Sequence, residues 1–490
     1  MSAYNFLSNR PLMGLDQDSD LFNVLKKIEF IKLFLEKETD YLQKNNMVVL
    51  YGNWGSGKTT LIHSIEQQIN KNLYKPVIFN AWRYEKDENL AYSLFEFLLD
   101  ELKVKEDSKQ KIKKFGGILL KGSLKSIKVI GNITEEYEKY LEKISLDKSL
   151  YRKISEFETE FQSMLKSKLG NNKILLVFVD DLDSCNPENV LDLLSSIKLF
   201  FTLGEESSLN DPKSRVIYFC GLDKYAVIKA AELKYKDKIK GEEFLEKIFD
   251  TSFHIPKNYN TENFVEKSQL FEEHKSIISK FLNSIKFTNP RHLKKIFNKY
   301  QLISLVKDNF KTEFGELIPE IIRNKKGYIF DTILVLFFLI LYEFHYHKYE
   351  EIKAYEFKFE NYIEHLVDNS SKPTSRQSKG NMVNNLRDNK SFFKFGNIGN
   401  LKFLNPTEGH KNYHKFLSFF TPRINKDFEL KSVQDFRYFE QFEYDENKIL
   451  IDFCRFIYDH IKEITTEEPD YPLNGDYNLF TLFDMVETLL

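Results

Sequence analysis

Short apolar runs alternate with segments of helical periodicity through the first half of the chain. Five runs are predicted to be β-strands because they are apolar and bounded by turn or polar residues: Met47–Tyr51, Pro76–Asn80, Ile174–Val179, Val216–Cys220 and Ser252–Ile255. The third run is apolar at every position, which is typical of a strand buried on both faces of a parallel sheet. Strands that alternate with helices predict an α/β fold with a doubly wound parallel sheet and right-handed crossovers.

Helices are predicted where apolar residues recur every three or four positions: 21–42, 60–70, 89–102, 155–169 and 187–199. The apolar side of the first helix is expected to consist of Leu25, Ile28, Ile31, Leu33 and Leu35. Asn186 is the predicted N-cap of the last helix, and Pro187 takes its first position. After Pro256 the pattern becomes helical, over 264–287, 291–306 and 310–349.

The most apolar run, Ile333–Tyr342, lies between Asp331 and Glu343. A run of about ten residues is too short for a hydrocarbon core that needs about twenty, so a buried helix is expected. The first residues, 1–10, lack the apolar region of a secretory signal. These patterns predict a soluble, cytoplasmic protein with no membrane segment.

A chain of 490 residues predicts two or three domains. We expect an α/β core over 1–258 with a Lys-rich insertion at about 104–150. A helical lid is expected over 259–310 and a mostly helical C-terminal domain over 311–490. Within that domain, 368–400 is polar and predicted to be mobile.

The composition excludes few function classes. The net charge is −2, so bulk electrostatics give no argument for a nucleic-acid partner. A local basic patch that binds nucleic acid is not excluded by this charge. Cys185, Cys220 and Cys454 lie far apart without metal-ligand spacing. Buried thiols in a reducing cytoplasm are the expectation.

An octet rich in glycine, Gly52–Thr59, joins the first predicted strand to the first helix of the core. It has the G-x-x-x-x-G-K-[ST] pattern, in which glycines turn backbone N–H groups toward phosphate oxygens. Lys58 is expected to reach the β- and γ-phosphates, and the Thr59 hydroxyl to bind Mg²⁺. A plain glycine-rich turn is the alternative, which the filled positions and the flanking elements disfavour. The predicted phosphate-binding residues are Gly52, Asn53, Trp54, Gly55, Ser56, Gly57, Lys58, Thr59 and Thr60.

Acidic residues follow the third predicted strand directly. Asp180 is expected to hold Mg²⁺ through water, and Asp181 to orient or deprotonate the attacking water. Asp183 lies close by in sequence, and carboxylates in such a cluster repel unless a cation joins them. A strand capped by a turn is the alternative reading of the same residues.

Other candidates are less specific. Asp223 follows the fourth strand and either senses the γ-phosphate or serves as a turn residue. Arg291 opens a helix of the lid and either contacts the γ-phosphate or forms a surface salt bridge. Glu85 is a second candidate for the catalytic base. The favoured alternative is that its neighbours Trp82 and Tyr84 pack and that the charged residues cap them. ATP is preferred over GTP because no Asn-Lys-x-Asp or Thr-Lys-x-Asp motif is present.

Taken together, these motifs resemble the KAP family of P-loop NTPases over about residues 5–305. The matching segments are Phe6–Leu12, Gly52–Thr59, Phe79–Glu85, Val177–Asp183, Cys185–Glu188, Phe244–Phe249, Phe253–Pro256 and Asn289–Arg291. The resemblance, shared with STAND and AAA-type ATPases, implies a strand between the P-loop and magnesium-site strands. It therefore implies an ASCE-type strand order of 5-1-4-3-2, followed by a helical lid.

Three departures from the family pattern stand out. Ser184 replaces an Arg that usually ends the magnesium-site block, so hydrolysis is expected to be slow or to borrow an Arg from a neighbouring copy. Asn9 replaces a usual Asp. Many members carry transmembrane helices where this chain has the polar segment 105–144.

Three hypotheses follow. The first is an ATP-driven switch or assembly ATPase, which the resemblance places in a bacterial anti-phage complex with partners encoded nearby. A homo-oligomer is expected if an Arg acts between copies. The second is a nucleotide-bound scaffold that hydrolyses negligibly. The third is a nucleic-acid-dependent sensor or motor that binds through a Lys-rich segment, 105–128, for which a solvated helical face is the favoured alternative.

Overall fold

A computed structural model describes residues 6–87, 89–105, 148–170, 173–200, 214–235, 241–271, 274–309 and 329–354, with the single positions 449, 452, 453, 456, 460 and 487. The interior of the predicted insertion, most of the Lys-rich segment and Cys454 lie outside the described residues. The predicted mobile segment 368–400 and most of the C-terminal domain also lie outside them.

The chain divides into two compact units. One is Arg10–Lys257, and the other combines Met1–Asn9 with Asn258–Leu490. The predicted domain boundaries stay predictions.

A parallel sheet of five strands forms the centre of the first unit. The strands are β1 (Met47–Tyr51), β2 (Tyr74–Asn80), β3 (Ile174–Asp180), β4 (Val216–Leu222) and β5 (Thr251–His254). Their order across the sheet is β5-β1-β4-β3-β2, which confirms the order that the resemblance implied. β1, β3 and β4 are buried at every position, as expected for central strands that helices cover on both faces.

Helices of the first unit pack on the two faces of this sheet. They are α1 (Leu25–Lys37), α2 (Thr39–Lys44), α3 (Lys58–Gln68), α4 (Leu90–Glu101), α5 (Lys148–Leu169), α6 (Pro187–Phe200), α7 (Lys224–Tyr235) and α8 (Gly241–Ile248). Short 3-10 turns follow β2 at Ala81–Tyr84 and β3 at Leu182–Ser184. Asn186 caps α6 as predicted, because its side-chain oxygen accepts from the Glu188 amide at 2.9 Å.

The predicted single helix over 21–42 is wrong in two respects. The chain leaves the helical conformation at Glu38, so two helices, α1 and α2, replace it. Leu33 is 54 % exposed rather than buried. Ile28, Ile31 and Leu35 lie on one side of a helix of 3.6 residues per turn, whereas Leu33 falls off that side.

The register of the strands brings several chain segments to one edge of the sheet. Tyr51 pairs with Leu222, Val179 with Cys220, and Asn80 with Asp180. All five strands run in the same direction, so the segments that follow β1, β2, β3 and β4 emerge together. Ligands of open α/β sheets bind at this carboxyl edge.

The second unit is helical over its described residues. Its helices are α9 (Glu262–Ser268), α10 (Lys275–Ser284), α11 (Pro290–Asn309), α12 (Ile329–Phe344) and α13 (Tyr346–Ala354). The helix predicted over 264–287 is therefore two helices, which break after Ser268 where Gln269 adopts a positive φ of 58°. In the N-terminal segment, the Leu7 amide donates to Asn298 Oδ1 at 2.7 Å and the Leu7 carbonyl accepts from its Nδ2 at 2.8 Å.

α12 contains the apolar run that was expected to be buried. Ile333 and the residues 335–341 are at most 1 % exposed, and Phe337 stacks on Phe453 with ring centroids 3.8 Å apart. Glu343, at the end of the run, pairs with both Lys295 and Lys299 of α11. Across the described parts of the chain, no helix has both the length and the apolar character needed to cross a membrane.

Candidate functional site

The segment between β1 and α3 forms a tight loop. Its first amide, Gly52 N–H, donates to the Leu222 carbonyl of β4 at 3.1 Å, and Ser56 N–H donates to the Asn53 carbonyl at 3.1 Å. Gly55 and Gly57 have positive φ angles of 79° and 97°. A Cβ at Gly52 would lie 2.6 Å from Ser56 Oγ, closer than real contacts allow. The glycines are therefore required by the path of this loop.

Lys58 begins α3 and turns its ammonium back into the loop. The residue is 7 % exposed. Its Nζ donates to the Gly52 carbonyl at 2.8 Å and the Asn53 carbonyl at 3.1 Å, and it forms an ion pair with Asp183. A buried cation is thus held where phosphate oxygens are predicted to bind.

Thr59 and Asp180 meet across the carboxyl edge of the sheet. Hydrogen bonding by the Thr59 side chain favours the charged form of the Asp180 carboxylate and acts to lower its pKa. Asp180 is 2 % exposed, and its Oδ1 has no hydrogen-bond partner among the described residues. Burial, reinforced by the charge of Asp181, raises the pKa of Asp180 to about 6. A carboxylate in this situation attracts a cation.

The donor set suits magnesium. A hydroxyl and a buried carboxylate oxygen are hard oxygen ligands, and Mg²⁺ usually keeps several waters and takes phosphate oxygens for the rest. Within the described residues, no group of three or more His, Cys, Asp or Glu is placed to cage a metal alone. Gly221 of β4 leaves room beside Asp180, since a Cβ there would lie 3.4 Å from Asp180 Oδ1 and 3.0 Å from Ile62 Cδ1.

Asp181 is held in place by a residue that the sequence did not single out. It has a positive φ of 58°, and its carboxylate accepts a hydrogen bond from the Asn80 side chain at the end of β2. Asn80 also accepts from the Arg83 amide at 3.2 Å through Oδ1, so its own orientation is fixed. The available signal was a polar residue ending a strand within the family segment Phe79–Glu85.

Asp183 was noted only as a neighbour, yet it contacts two parts of the site. One carboxylate oxygen pairs with Lys58, and the other accepts from the Asp223 amide at 2.6 Å. Burial raises the pKa of Asp183 although Lys58 opposes the shift. The carboxylate of Asp223 itself accepts from the Tyr225 and Ala226 amides at 2.9 and 3.3 Å and so caps α7. A contact of Asp223 with the γ-phosphate stays a prediction.

The turn after β2 differs from its prediction. Trp82 is 61 % exposed, because the 3-10 turn buries Ala81 and directs the next residue outward. Tyr84 does pack, stacking on Phe79 with ring centroids 4.8 Å apart. Glu85 Oε1 accepts from Asn186 N–H at 2.8 Å and from Asn189 Nδ2 at 3.2 Å, and so serves the start of α6.

The remaining predicted residues fall into three groups. Thr60 accepts from the Leu12 amide at 3.2 Å through its hydroxyl, which holds the preceding segment against α3. Cys185 and Cys220 are free and buried. Arg291 lies in the first turn of α11 in the second unit, where Asn289 caps the helix by accepting from its amide at 3.0 Å. A contact of Arg291 with a phosphate stays a prediction.

A glycine loop with a buried lysine, and an aspartate strand separated from it by one strand, define a P-loop NTPase of the kind with an inserted central strand. A model described as the KAP family P-loop domain matches residues 29–307, more than half of the 490 residues. The chain therefore belongs to the KAP family of P-loop NTPases, and the resemblance inferred from its motifs is confirmed.

Relatives occur in the archaeon Methanocaldococcus jannaschii. The uncharacterized protein MJ0181 is 34 % identical over 266 residues, which span 50 % of this chain and 100 % of the relative. The uncharacterized protein MJ0182 is 32 % identical over 193 residues, or 31 % of this chain and 98 % of the relative. Family membership supports nucleotide binding as the function of the first unit.

Proposed function

We propose that this protein is an Mg²⁺-dependent ATP-binding and ATP-hydrolysing switch or assembly ATPase. The observation that carries the proposal is the grouping of Lys58, the Thr59–Asp180 pair and Asp181 at one edge of the sheet. Phosphoryl transfer to water requires three parts: a cation, oxygen groups that bind the metal, and a further carboxylate that acts on the water. Lys58, Thr59 with Asp180, and Asp181 correspond to these parts in that order.

Each residue has a distinct role in this proposal. The loop amides and the start of α3 bind the phosphates, and Lys58 balances their charge. Thr59 and, through water, Asp180 would hold Mg²⁺, which supplies charge neutralisation at the phosphate oxygens. Asp181, oriented by Asn80, positions the attacking water and accepts its proton. ATP is the proposed substrate because the sequence lacks a guanine-reading motif.

The decisive experiment separates binding from hydrolysis. Purified protein is titrated with ATPγS and Mg²⁺ by calorimetry, and ATP and GTP turnover are measured in parallel. We expect Lys58→Ala to lose both binding and turnover. Asp181→Asn should bind ATPγS normally while turnover falls about a hundredfold or more.

A matched control is Asp192→Asn, which removes a carboxylate paired with Lys234 at 2.5 Å between α6 and α7. This variant should bind and hydrolyse as the wild type does. Normal binding and turnover in Lys58→Ala would refute the site, and a preference for GTP would refute the substrate.

The switch part of the proposal rests on the second unit. In it, Arg291 contacts the γ-phosphate and reports its loss, so that the helical region changes its surface for a protein partner. From the resemblance to soluble bacterial members of the family, we propose that such a complex acts in the cytoplasm in defence against phages, with partners encoded nearby. Co-expression with the products of neighbouring genes, followed by purification with ATPγS or ADP, tests it. Equal recovery of partners with both nucleotides would contradict a switch.

A nucleotide-bound scaffold is the second candidate, and Ser184 favours it. This residue is exposed just after the magnesium-site aspartates, at the position where the family usually has Arg. A scaffold would bind ATPγS but show no turnover, alone or with its partners. Measured turnover in either setting rejects the scaffold.

A further inference from the structure

All three N–H donors of the Lys58 ammonium are engaged. A lysine ammonium carries three N–H donors. In this structure it contacts three acceptors, namely the Gly52 carbonyl, the Asn53 carbonyl and Asp183. Any phosphate that binds Lys58 must therefore replace one of them.

Asp183 is the acceptor that a phosphate resembles most. It is the anionic member of the three, whereas the two carbonyls belong to the loop that would surround the phosphates. Its side chain is 9 % exposed, so its charge depends on Lys58 for compensation. Replacing a carboxylate by a phosphate oxygen keeps the charge around Lys58 balanced.

Asp183 also differs from the residues proposed to bind metal. Both of its oxygens are engaged, one with Lys58 and the other with the Asp223 amide. Asp180, by contrast, has an oxygen with no hydrogen-bond partner among the described residues. Asp183 is therefore suited to exchange partners rather than to receive an ion.

Loss of Lys58 would leave Asp183 in an unfavourable place. Its remaining described contact would be the Asp223 amide, and the nearby Asp223 carboxylate repels it. A buried charge that loses its partner is strongly destabilised. The carboxylate must then move, and the connection between β4 and α7 is attached to it.

We infer that Asp183 is a positioning residue that takes the place of the terminal phosphate in the nucleotide-free protein. It neutralises Lys58 until nucleotide displaces it, and its departure alters the connection between β4 and α7 through the Asp223 amide. This inference rests on the proposed function, since it assigns the nucleotide's phosphate as the competing anion.

Affinity gives the first test. Asp183→Asn keeps the shape but removes the competing charge, so it should bind ATPγS with Mg²⁺ about tenfold more tightly than the wild type, the scale of one charge-assisted hydrogen bond. Asp183→Glu retains the charge and should bind at most as tightly as the wild type. Asp192→Asn should leave the affinity unchanged. A residue with a purely structural role would weaken binding on substitution, so unchanged or weaker binding by Asp183→Asn overturns the inference.

Lysine reactivity gives a test that needs no nucleotide. Limiting acetic anhydride is added to the full-length protein, and acetylation at each lysine is quantified by mass spectrometry. Asp183→Asn should raise acetylation at Lys58 several-fold, while Asp192→Asn should raise it at Lys234 and leave Lys58 unchanged. Equal acetylation of Lys58 in the wild type and Asp183→Asn overturns the inference. If the wild type binds no ATPγS, the proposed function fails, and this measurement still decides the role of Asp183.

Hydrogen exchange tests the link to the β4–α7 connection. Addition of ATPγS and Mg²⁺ should make the Asp223 amide of the wild type exchange faster, because its acceptor moves away. The neutral side chain of the Asp183→Asn variant does not compete with phosphate for Lys58, so nucleotide should not displace it. In this variant the exchange of the Asp223 amide should therefore not change. Slower or unchanged exchange in the wild type, with ATPγS bound, overturns the link.

Discussion

Asp180 combines deep burial with an oxygen that lacks a hydrogen-bond partner among the described residues. Its pKa is raised to about 6, so the folded protein disfavours the charged form. For a raised carboxyl pKa, stability is fully present below the unfolded value and is lost as the pH rises through the folded value. The nucleotide-free protein therefore carries a cost at neutral pH that a bound cation would relieve.

Asp180→Asn should for this reason stabilise the nucleotide-free protein at pH 7.5. We expect a gain of about 1–3 kcal/mol, seen as a rise of a few degrees in Tm. The variant should also lose the extra stabilisation that Mg²⁺ adds in the presence of ADP. Thermal unfolding with and without Mg²⁺ measures both effects. The gain should shrink as the pH falls below 6, and a gain that is independent of pH would contradict the explanation.

Asn80 acts on hydrolysis through Asp181. Asn80→Ala removes the side-chain donor to Asp181, so the carboxylate loses its fixed orientation. We expect kcat to fall about tenfold to a hundredfold while the affinity for ATPγS stays unchanged. Steady-state kinetics and calorimetry on the same preparation separate these quantities. A parallel loss of affinity would show that Asn80 supports the whole loop instead.

The site residues that a local motif defines could be predicted from the sequence, whereas those that only neighbouring strands bring together could not. Gly52–Thr59 and Asp180 were predicted from local patterns, and the structure brings Thr59 and Asp180 into contact. Asn80 ends β2 within a family segment and Asp183 follows the magnesium-site aspartates, but their partners come from other segments of the chain. These local patterns therefore do not specify the contacts that the two residues make. Trp82 was misplaced because its exposure depends on the turn that follows β2.

Among the elements, the start of α3 depends on backbone conformation. Gly57 precedes the helix with a φ of 97°, and a Cβ there would meet no atom within 4 Å. Gly57→Ala should therefore act through backbone strain, costing about 1–2 kcal/mol of stability. It should also abolish ATPγS binding, since the amides of the loop would be redirected.

Gly170 provides a matched control for Gly57. It follows α5 with a φ of 74°, again with no atom within 4 Å of an added Cβ. Gly170→Ala should lower Tm by a similar amount while leaving ATPγS binding intact. Calorimetry and thermal unfolding of both variants give the comparison. Loss of binding in both would attribute the effect to general destabilisation.

The pairing of α11 with α12 makes a second, pH-dependent contribution. Burial alone would raise the pKa of Glu343, but hydrogen bonds and ion pairs with Lys295 and Lys299 outweigh it and lower the pKa below its ordinary value. A lowered carboxyl pKa adds stability above the unfolded value that is lost as the pH falls through the folded value. The contact should therefore weaken in acid.

Glu343→Gln should cost about 1 kcal/mol at pH 7, a modest amount because Lys295 is 46 % exposed. The cost should shrink as the pH falls through the lowered pKa of Glu343 and vanish where the carboxyl is protonated in both states. Denaturant unfolding of the full-length chain across this range measures it. A cost that persists unchanged in acid would indicate lost packing rather than lost charge.

Element boundaries were predicted less well than element types. All five strands were predicted, with ends within two residues of those observed. Two helices that were predicted as continuous, over 21–42 and 264–287, are each divided. The breaks fall at Glu38 and Gln269, where single backbone conformations end a helix although the apolar pattern continues.

For the whole molecule, the strand order could be anticipated because family motifs fix which strands carry the P-loop and the magnesium-site aspartate. The apolar pattern alone predicts a parallel sheet but leaves several orders open. The grouping of residues 1–9 with residues 258–490 in one unit could not be derived in this way, because no motif indicates it.

The serine at position 184 leads to a prediction about assembly between copies of the chain. If hydrolysis borrows an arginine from a neighbouring copy, turnover per molecule should rise with protein concentration. Ser184→Arg should supply the group within one chain, raising kcat at low concentration about tenfold or more and removing the concentration dependence. Turnover measured over a dilution series, with mass determined in parallel, tests this. A rate independent of concentration in the wild type would reject assistance between copies.

The chain has two tryptophans, Trp54 in the loop and Trp82 after β2, which are 53 % and 61 % exposed. Indole emission from the entire protein therefore originates at the carboxyl edge of the sheet. Quenching or a spectral shift on mixing with nucleotide would report events at that edge directly. Stopped-flow fluorescence can thus time ligand entry and release without any attached dye, and Trp54→Phe and Trp82→Phe would assign the signal to one side or the other.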